Sequence, residues 1–300
     1  MQIIIRDATR EEEVRKNLER TATEMERLNQ MKNSFLGLAS HELKTPLTII
    51  MGYTELLLTD REEPLDDDTL ELIRHIARAS DRLSEIVRDM VDVSLIDGRS
   101  IDLVSQDVDV NVLVQRAVDK AEPSIRQRQQ VLNLDLATDL PLVKCDVERM
   151  IQAFGNVLGN AIKFTPDKGY IILQTRLVHR PRKPEKFATN GIDGACALST
   201  EQVPYVEITI CDKGIGIAEV EQEAIFDKFH ELGDVEEHST GKVAFKSRGA
   251  GLGLSIVKGI VDLHGGTVWV ESPGHSTETM PGSTFYILLP AITSIGAPRT

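Results

Sequence analysis

From about residue 10 to 59, apolar side chains recur at three- and four-residue steps: Val14, Leu18, Met25, Leu28, Phe35, Leu38, Leu43, Leu47, Ile50 and Leu57. That period gathers one apolar stripe and predicts a long amphipathic helix. Residues 60–68, with Pro64, read as a turn. A second helical pattern then runs through Leu70, Ile73, Ala77, Leu83, Ile86, Met90 and Val93 and closes at Asp97-Gly98. Two long helices joined by a short turn form an antiparallel hairpin, all α. Alone, such a hairpin leaves its stripe open to water. The expected cover is the same hairpin from a second chain, giving a dimeric four-helix bundle; docking on the C-terminal half is the alternative. Heptad-like spacing from Val14 to Phe35 predicts a parallel coiled coil between the two chains.

Beyond residue 98 the pattern changes. A linker and first strand cover 99–110, a helix 111–130, a strand Val131 to Leu136 and a helix 147–164. Strands follow at 169–178 and 205–211, a short helix near 219–229, a polar stretch at 231–248, a helix over about 251–264, and strands at 266–271 and 283–289. This mixture predicts an α/β sandwich with helices on one sheet face, not a doubly wound fold. Residues 179–204 show no period between two strands and read as a long surface insertion. At the start, Met-Gln-Ile-Ile-Ile-Arg-Asp is a strand-like run without a partner, expected to close an upstream domain.

Composition narrows the function. The 300 residues suffice for two domains, with 41% hydrophobic and 27% charged positions. A formal net charge of −13, from 34 basic and 47 acidic residues, disfavours nucleic acid and anionic membrane as partners. Only Trp269, four Tyr and eight Phe are present, and no basic run is interleaved with them as a base-stacking platform requires. Cys145, Cys196 and Cys211 lack metal-ligand spacing. No run of 18 apolar residues and no signal-peptide layout occurs, so the expected compartment is the cytoplasm, with a parent protein either soluble or membrane-anchored.

Three clusters carry candidate chemistry. Asp212-Lys-Gly-Ile-Gly-Ile217 follows a strand; its carboxylate suits a purine's exocyclic amine, and Gly214 and Gly216 let the backbone approach a flat ligand. Gly249-Ala-Gly-Leu-Gly-Leu254 opens an apolar helix, so backbone N–H groups and a helix N-terminus are offered to phosphates. Neither is a mononucleotide P-loop. The two clusters start 37 residues apart and flank a polar stretch, which suits a lid over a triphosphate. On the 147–164 helix, Asn156, Asn160 and Lys163 share a face. An asparagine oxygen suits Mg2+, and a lysine neutralises phosphate. Gly155 and Gly159 beside them predict a face pressed close against the domain body.

Taken together, these segments resemble the sensor histidine kinases of two-component signalling. Phe35-Leu-Gly-Leu-Ala-Ser-His-Glu-Leu-Lys-Thr-Pro-Leu47 is similar to that family's phosphoacceptor box. Asn156-Val-Leu-Gly-Asn-Ala-Ile-Lys-Phe-Thr-Pro166 resembles its asparagine box, and Asp212 to Ile217 and Gly249 to Leu254 its two glycine boxes. Ile225-Phe-Asp-Lys-Phe229 resembles its phenylalanine box. The resemblance implies a GHKL-type ATP-binding domain, with His41 as phosphoacceptor, Glu42 as neighbouring acid/base and Thr45 placed to orient a water for dephosphorylating the partner. It implies Asn160 as Mg2+ ligand, Asn156 and Lys163 near the phosphates, Asp212 at the adenine, and Gly214, Gly216, Gly249, Gly251, Leu252, Gly253 and Leu254 around ATP. Phe226 and Phe229 would anchor a lid over 231–248; Lys242, Lys246 and Arg248 are assigned to phosphate on charge alone. The implied partners are a second copy, a response-regulator receiver domain and an upstream sensory domain.

On this reading 1–9 is a sensory-domain remnant, 10–33 a signalling coiled coil, 34–98 the dimerisation and phosphotransfer domain, 99–108 a linker, 109–292 the catalytic domain and 293–300 a tail. The chemistry of His41 agrees. Its imidazole is largely neutral near pH 7, and Glu42 can fix its tautomer. Thr45 lies one turn on, and Pro46 removes a helix hydrogen bond just beyond. The competing function is a nucleotide-binding dimeric scaffold or degenerate kinase that acts by conformation. A clamp-type ATPase of the same superfamily would need a catalytic Glu near Asn156 and no His41 hairpin.

Overall fold

The computed structural model describes residues 15, 21, 42–59, 66–98, 101–181, 202–230 and 251–292. They fall in two units, Met1–Ile101 and Asp102–Thr300.

The described residues of the first unit are mainly helical. Residues 42–59 form α1, whose helical path continues across Pro46. Asp67–Asp97 form α2, capped by the Asp66 carboxylate accepting the Thr69 N–H at 2.8 Å. Ile73, Ser80, Val87 and Ser94 are buried along α2, as are Leu47 and Thr54 along α1, each set stepping by seven. This differs from the apolar pattern alone, because two α2 positions of the set are serines. Leu72, Ile76 and Leu83 of α2 and Leu43, Ile50 and Leu57 of α1 stand exposed. The coiled-coil expectation for Val14 to Phe35 and the strand-like start lie outside the described residues.

The second unit is a mixed α/β domain. Its elements are β1 (Ser105–Val108), α3 (Val110–Gln127), β2 (Val131–Leu136), β3 (Val143–Asp146), α4 (Val147–Phe164), β4 (Tyr170–Pro181), β5 (Gln202–Asp212), α5 (Gly253–Leu263), β6 (Thr267–Glu271) and β7 (Ser283–Pro290). Five strands form one sheet in the order β2-β4-β5-β7-β6; β2 runs parallel to β4 and the other pairs are antiparallel. β1 and β3 form a separate antiparallel pair.

One face of β5 sends Val206, Ile208 and Ile210 into the core; on the other face Glu207 and Cys211 are half-buried while Tyr205 and Thr209 are buried, so this central strand is partly covered on its second side as well. The α3 residues Leu113, Val114 and Ala117, the α4 residues Met150, Ile151, Phe154, Val157 and Leu158, and the α5 residues Ile256, Val257 and Ile260 are likewise buried. Asn111 near the start of α3 ties it to the sheet. Its amide donates to Ala137 O at 2.9 Å, and its oxygen accepts the hydroxyl of the buried Thr175 at 2.9 Å.

Three expectations need correction. The stretch near 219–229 is two short 3-10 turns, Glu219–Glu221 and Ala224–Phe226, because its apolar residues do not share a buried face: Val220 is exposed while Ile225 and Phe226 are buried. β3 was not expected at all. The insertion is also narrower than 179–204, since β4 and β5 remain paired out to Pro181 and Gln202.

Candidate nucleotide site

The site grows from the end of β5. Asp212 is its last residue and pairs in register with Ser283, the first residue of β7. Asp212 is 2% exposed, and its carboxylate accepts the Ser283 hydroxyl at 2.5 Å and the Gly214 N–H at 2.8 Å. Burial pushes this carboxyl above its usual range, while the bonds from Ser283 and Gly214 pull the other way. Gly214 has to be glycine on steric grounds, since a Cβ there would fall inside contact distance of the Phe164 carbonyl oxygen. Ile215 N–H donates to that same oxygen at 3.3 Å.

α4 forms a second wall. Asp146 caps it by accepting the Arg149 N–H at 3.1 Å. Its apolar side is buried, and the opposite side carries Asn156, Gly159, Asn160 and Lys163, none of them buried. The expectation that Gly155 and Gly159 press this side against the domain body fails: a Cβ at either would meet nothing within 4 Å. Asn156 Nδ2 donates to Gly253 O at 3.2 Å, tying α4 to the first residue of α5 and leaving the amide oxygen for another partner. The Lys163 ammonium lies 4.6 Å from the centre of the Phe164 ring.

α5 forms the third wall. It begins at Gly253 after the buried Leu252, and no side chain caps its first turn. Such a helix start offers N–H groups and a positive dipole end to an anion. Gly251 just before it has φ +65°, a conformation that disfavours other residues, and its carbonyl accepts the Phe229 N–H at 2.9 Å.

Between these walls lies a pocket lined by Asn160, Phe164, Asp212, Ile215, Gly216, Ile217, Ile225, Leu254, Ser283 and Phe285. Its lining is mainly apolar with the Asp212–Ser283 pair as a polar anchor, a chemistry suited to a flat heterocycle bearing an amine. Of the residues expected from sequence, Asn160, Asp212, Gly216 and Leu254 meet in this lining. Phe226 sits behind it, buried, edge-on to Phe285 with centroids 6.4 Å apart. Phe229 does not join it; that side chain is 62% exposed on a backbone with φ +61°. Glu42 and Thr45 are exposed on α1. His41, Lys242, Lys246, Arg248 and Gly249 lie outside the described residues. Ser283 was missed in the sequence. A Gly-Ser-Thr opening to a strand is the only local signal, and the pairing that brings it to Asp212 spans 71 residues.

Among the described residues no cluster of three or more His, Cys, Asp or Glu could cage a metal ion. None of the helices described is long and apolar enough to cross a membrane.

Comparison with known proteins places both halves. The family described as histidine kinase-, DNA gyrase B- and HSP90-like ATPase matches residues 145–293, and the His Kinase A (phospho-acceptor) domain matches residues 31–99. Cyanobacterial phytochrome B of Nostoc is 33% identical over 266 residues, covering 89% of this chain and 30% of that protein. An uncharacterised sensor-like histidine kinase, ycf26, of Pyropia yezoensis is 29% identical over 88% of this chain and 37% of its own length. The chain thus spans well under half of these relatives. In fold it resembles full-length ShkA crystallised with AMPPNP (TM-score 0.63, 24% identity, 88% of this chain and 47% of that one). It also resembles the Acinetobacter baumannii histidine kinase AdeS (TM-score 0.51, 21% identity, 84% and 98%). A phosphoacceptor domain followed by an ATPase domain of this fold is the architecture of a sensor histidine kinase, and the chain belongs to that enzyme family.

Proposed function

We propose that this chain transfers the γ-phosphoryl group of ATP to His41 and passes it on to an aspartate of a response-regulator receiver domain. The observation that carries the reading is the pocket in which a buried Asp212–Ser283 pair faces apolar walls, beside a helix start that no side chain caps.

The site's donor chemistry fits ATP with Mg2+. Asp212 would accept the adenine amine, Ile215, Ile217, Ile225 and Phe285 would flank the ring, and the first turn of α5 with Lys163 would meet phosphate charge. Asn160 would hold Mg2+, which keeps several waters and needs only one or two protein ligands; when bound it neutralises phosphate charge. Glu42 would hydrogen-bond one nitrogen of His41, fixing the tautomer that leaves the other nitrogen free to attack phosphorus. Thr45 supports phosphatase action on the regulator, by orienting a water.

The apolar positions exposed on α1 and α2, Leu43, Ile50, Leu57, Leu72, Ile76 and Leu83, support a homodimer in which two hairpins form a four-helix bundle. The net charge of −13, and the absence among the described residues of a helix long and apolar enough to cross a membrane, are in keeping with a cytoplasmic location; an upstream sensory domain in the whole protein belongs to the same proposal.

The test is labelling with γ-32P Mg-ATP. The expected product is acid-labile, alkali-stable phosphohistidine, absent from His41→Gln and transferable to a receiver domain. Undiminished labelling of His41→Gln sinks the assignment, and sedimentation as a monomer sinks the bundle.

A further inference from the structure

The last carbonyls of an α-helix have no partner inside the helix, so something outside must receive them. α4 ends without the usual glycine. Its C-cap is Thr165 in an extended conformation. Two side chains from the end of α3 take the carbonyls instead. Arg128 Nη1 donates to Ile162 O at 3.2 Å and Nη2 to Thr165 O at 2.9 Å. Gln130 Nε2 lies 3.0 Å from Ile162 O, 2.9 Å from Thr165 O and 3.2 Å from Pro166 O. Arg128 Nε also pairs with the Asp167 carboxylate, and the Arg128 carbonyl accepts the Lys168 N–H at 3.1 Å.

The turn that aims these side chains is itself specific. Gln130 N–H donates to Ile125 O and Gln129 N–H to Arg126 O, both at 3.0 Å, the paired bonds of a Schellman helix end. Its left-handed position is filled by Gln129, with φ +52°, where glycine is the unstrained choice. Arg128 and Gln130 flank that residue.

Arg128 is 6% exposed and Gln130 7%. Burying a guanidinium and an amide is unfavourable unless their donors are met, and a glycine cap would end the helix without burying either. The helix gripped in this way is the one that carries the candidate phosphate face. Ile162 adjoins Lys163 and lies two residues from Asn160. Phe164, between the held carbonyls, meets Ile215 of the Asp212 turn through its own carbonyl. Neither Arg128 nor Gln130 lines the pocket.

We propose that Arg128 and Gln130 are positioning residues of the nucleotide site: by holding the carbonyls of Ile162, Thr165 and Pro166 they set the depth and rotation of the last turn of α4, and with it the place of Asn160 and Lys163 relative to Asp212. The proposal rests on the reading of α4 as the phosphate-facing helix. Adenine recognition should feel the grip less than phosphate binding does, because Asp212 and Ser283 are fixed to each other on paired strands and the gripped turn reaches that side of the pocket through Phe164.

Calorimetric titration of the full chain with Mg-ATP and with adenosine, well below each variant's unfolding midpoint, separates the possibilities. Arg128→Met and Gln130→Met are expected to weaken Mg-ATP about tenfold, as misplaced binding groups do, with adenosine changed less than about twofold. Arg128→Lys and Gln130→Asn keep a cation and an amide but not the reach. They should lie between wild type and those variants, and they carry the test if the methionine variants do not fold. Equal weakening of both ligands, or unchanged Mg-ATP binding, overturns the proposal. Asn160→Asp is the control. If it leaves the Mg-ATP to adenosine ratio unchanged, the phosphate-face reading fails and the proposal with it. If it shifts the ratio while the Arg128 and Gln130 variants do not, only the positioning role fails.

Discussion

His264, at the end of α5, accepts the backbone N–H of Asp146 at its Nε2 over 2.9 Å, while its Nδ1 lies 2.7 Å from the Ile260 carbonyl. An amide can only donate and a carbonyl only accept, so the tautomer that meets both contacts carries its proton on Nδ1. The bond joins the cap of α4 to the far end of α5, and α4 and α5 wall the nucleotide pocket. His264→Asn retains a donor near Ile260 O but cannot reach Asp146, and should lower unfolding free energy by about 1–2 kcal/mol. His264→Gln carries an acceptor further out and should recover most of that loss in urea titrations followed by circular dichroism.

Removing the hydroxyl at Ser283 should show at Asp212. The bond from Ser283 favours the charged carboxylate against burial, so in Ser283→Ala the Asp212 pKa rises further. Adenosine affinity should fall about tenfold, and its loss on acidification should begin at higher pH than in wild type. Titrations across a pH series check both. An unmoved acid limb would rule out the coupling.

The glycines of the site divide into two kinds. Gly155→Ala and Gly159→Ala place a methyl in open space and relieve the helix of a poor former, so each should raise stability by about 0.5–1 kcal/mol. In Gly214→Ala the methyl meets the Phe164 carbonyl, and the turn must shift. Thermal melts should move up for the first two, whereas adenosine binding should drop for the third.

On α2, half-buried Asp89 has its carboxyl pushed up to about 6 from an ordinary 3.8, by burial first and then by the charges of Asp92 and Glu85, against the opposing effect of Arg88. The folded chain therefore holds this proton more tightly than the unfolded chain between about pH 4 and 6. Stability contributed here is present below that window and is lost as pH rises through it. Asp89→Asn should stabilise the helical unit at pH 7.5 by roughly 1 kcal/mol, allowing for partial exposure, and flatten the slope of its melting temperature between about pH 4 and 6. A slope identical to wild type would count against the assignment.

How far the sequence reached depends on how local each signal is. α4 was legible at both ends, because Asp146 is a strong cap and the apolar spacing from Met150 to Ile162 is regular. The clusters at Asp212 and Gly251 to Leu254 were legible too, since glycines and a carboxylate at close spacing need no long-range knowledge. The four-residue β3 was not, as it is too short for a period and is defined by pairing with β1. Nor was the buried side of α2, where Ser80 and Ser94 take heptad positions that an apolar count passes over. Ser283 and the grip of Arg128 and Gln130 depend on strand register and on a Schellman turn without glycine; a short Gly-Ser-Thr opening is all that marks the first, and nothing in local composition marks the second.

The β4–β5 hairpin outruns its neighbours. Its last pairs, His179 with Pro204, Arg180 with Val203 and Pro181 with Gln202, lie beyond both the Leu136–Thr175 pair that ends β2 and the Tyr205–Pro290 pair that ends β7. Asp212 and Ser283 sit at the opposite end of β5 and β7. That makes the ribbon a port for grafting: a sequence inserted between Pro181 and Gln202 enters the chain where β4 and β5 pair beyond the ends of β2 and β7. A reporter or a docking peptide spliced there would ride on the catalytic domain a full strand's length from the nucleotide.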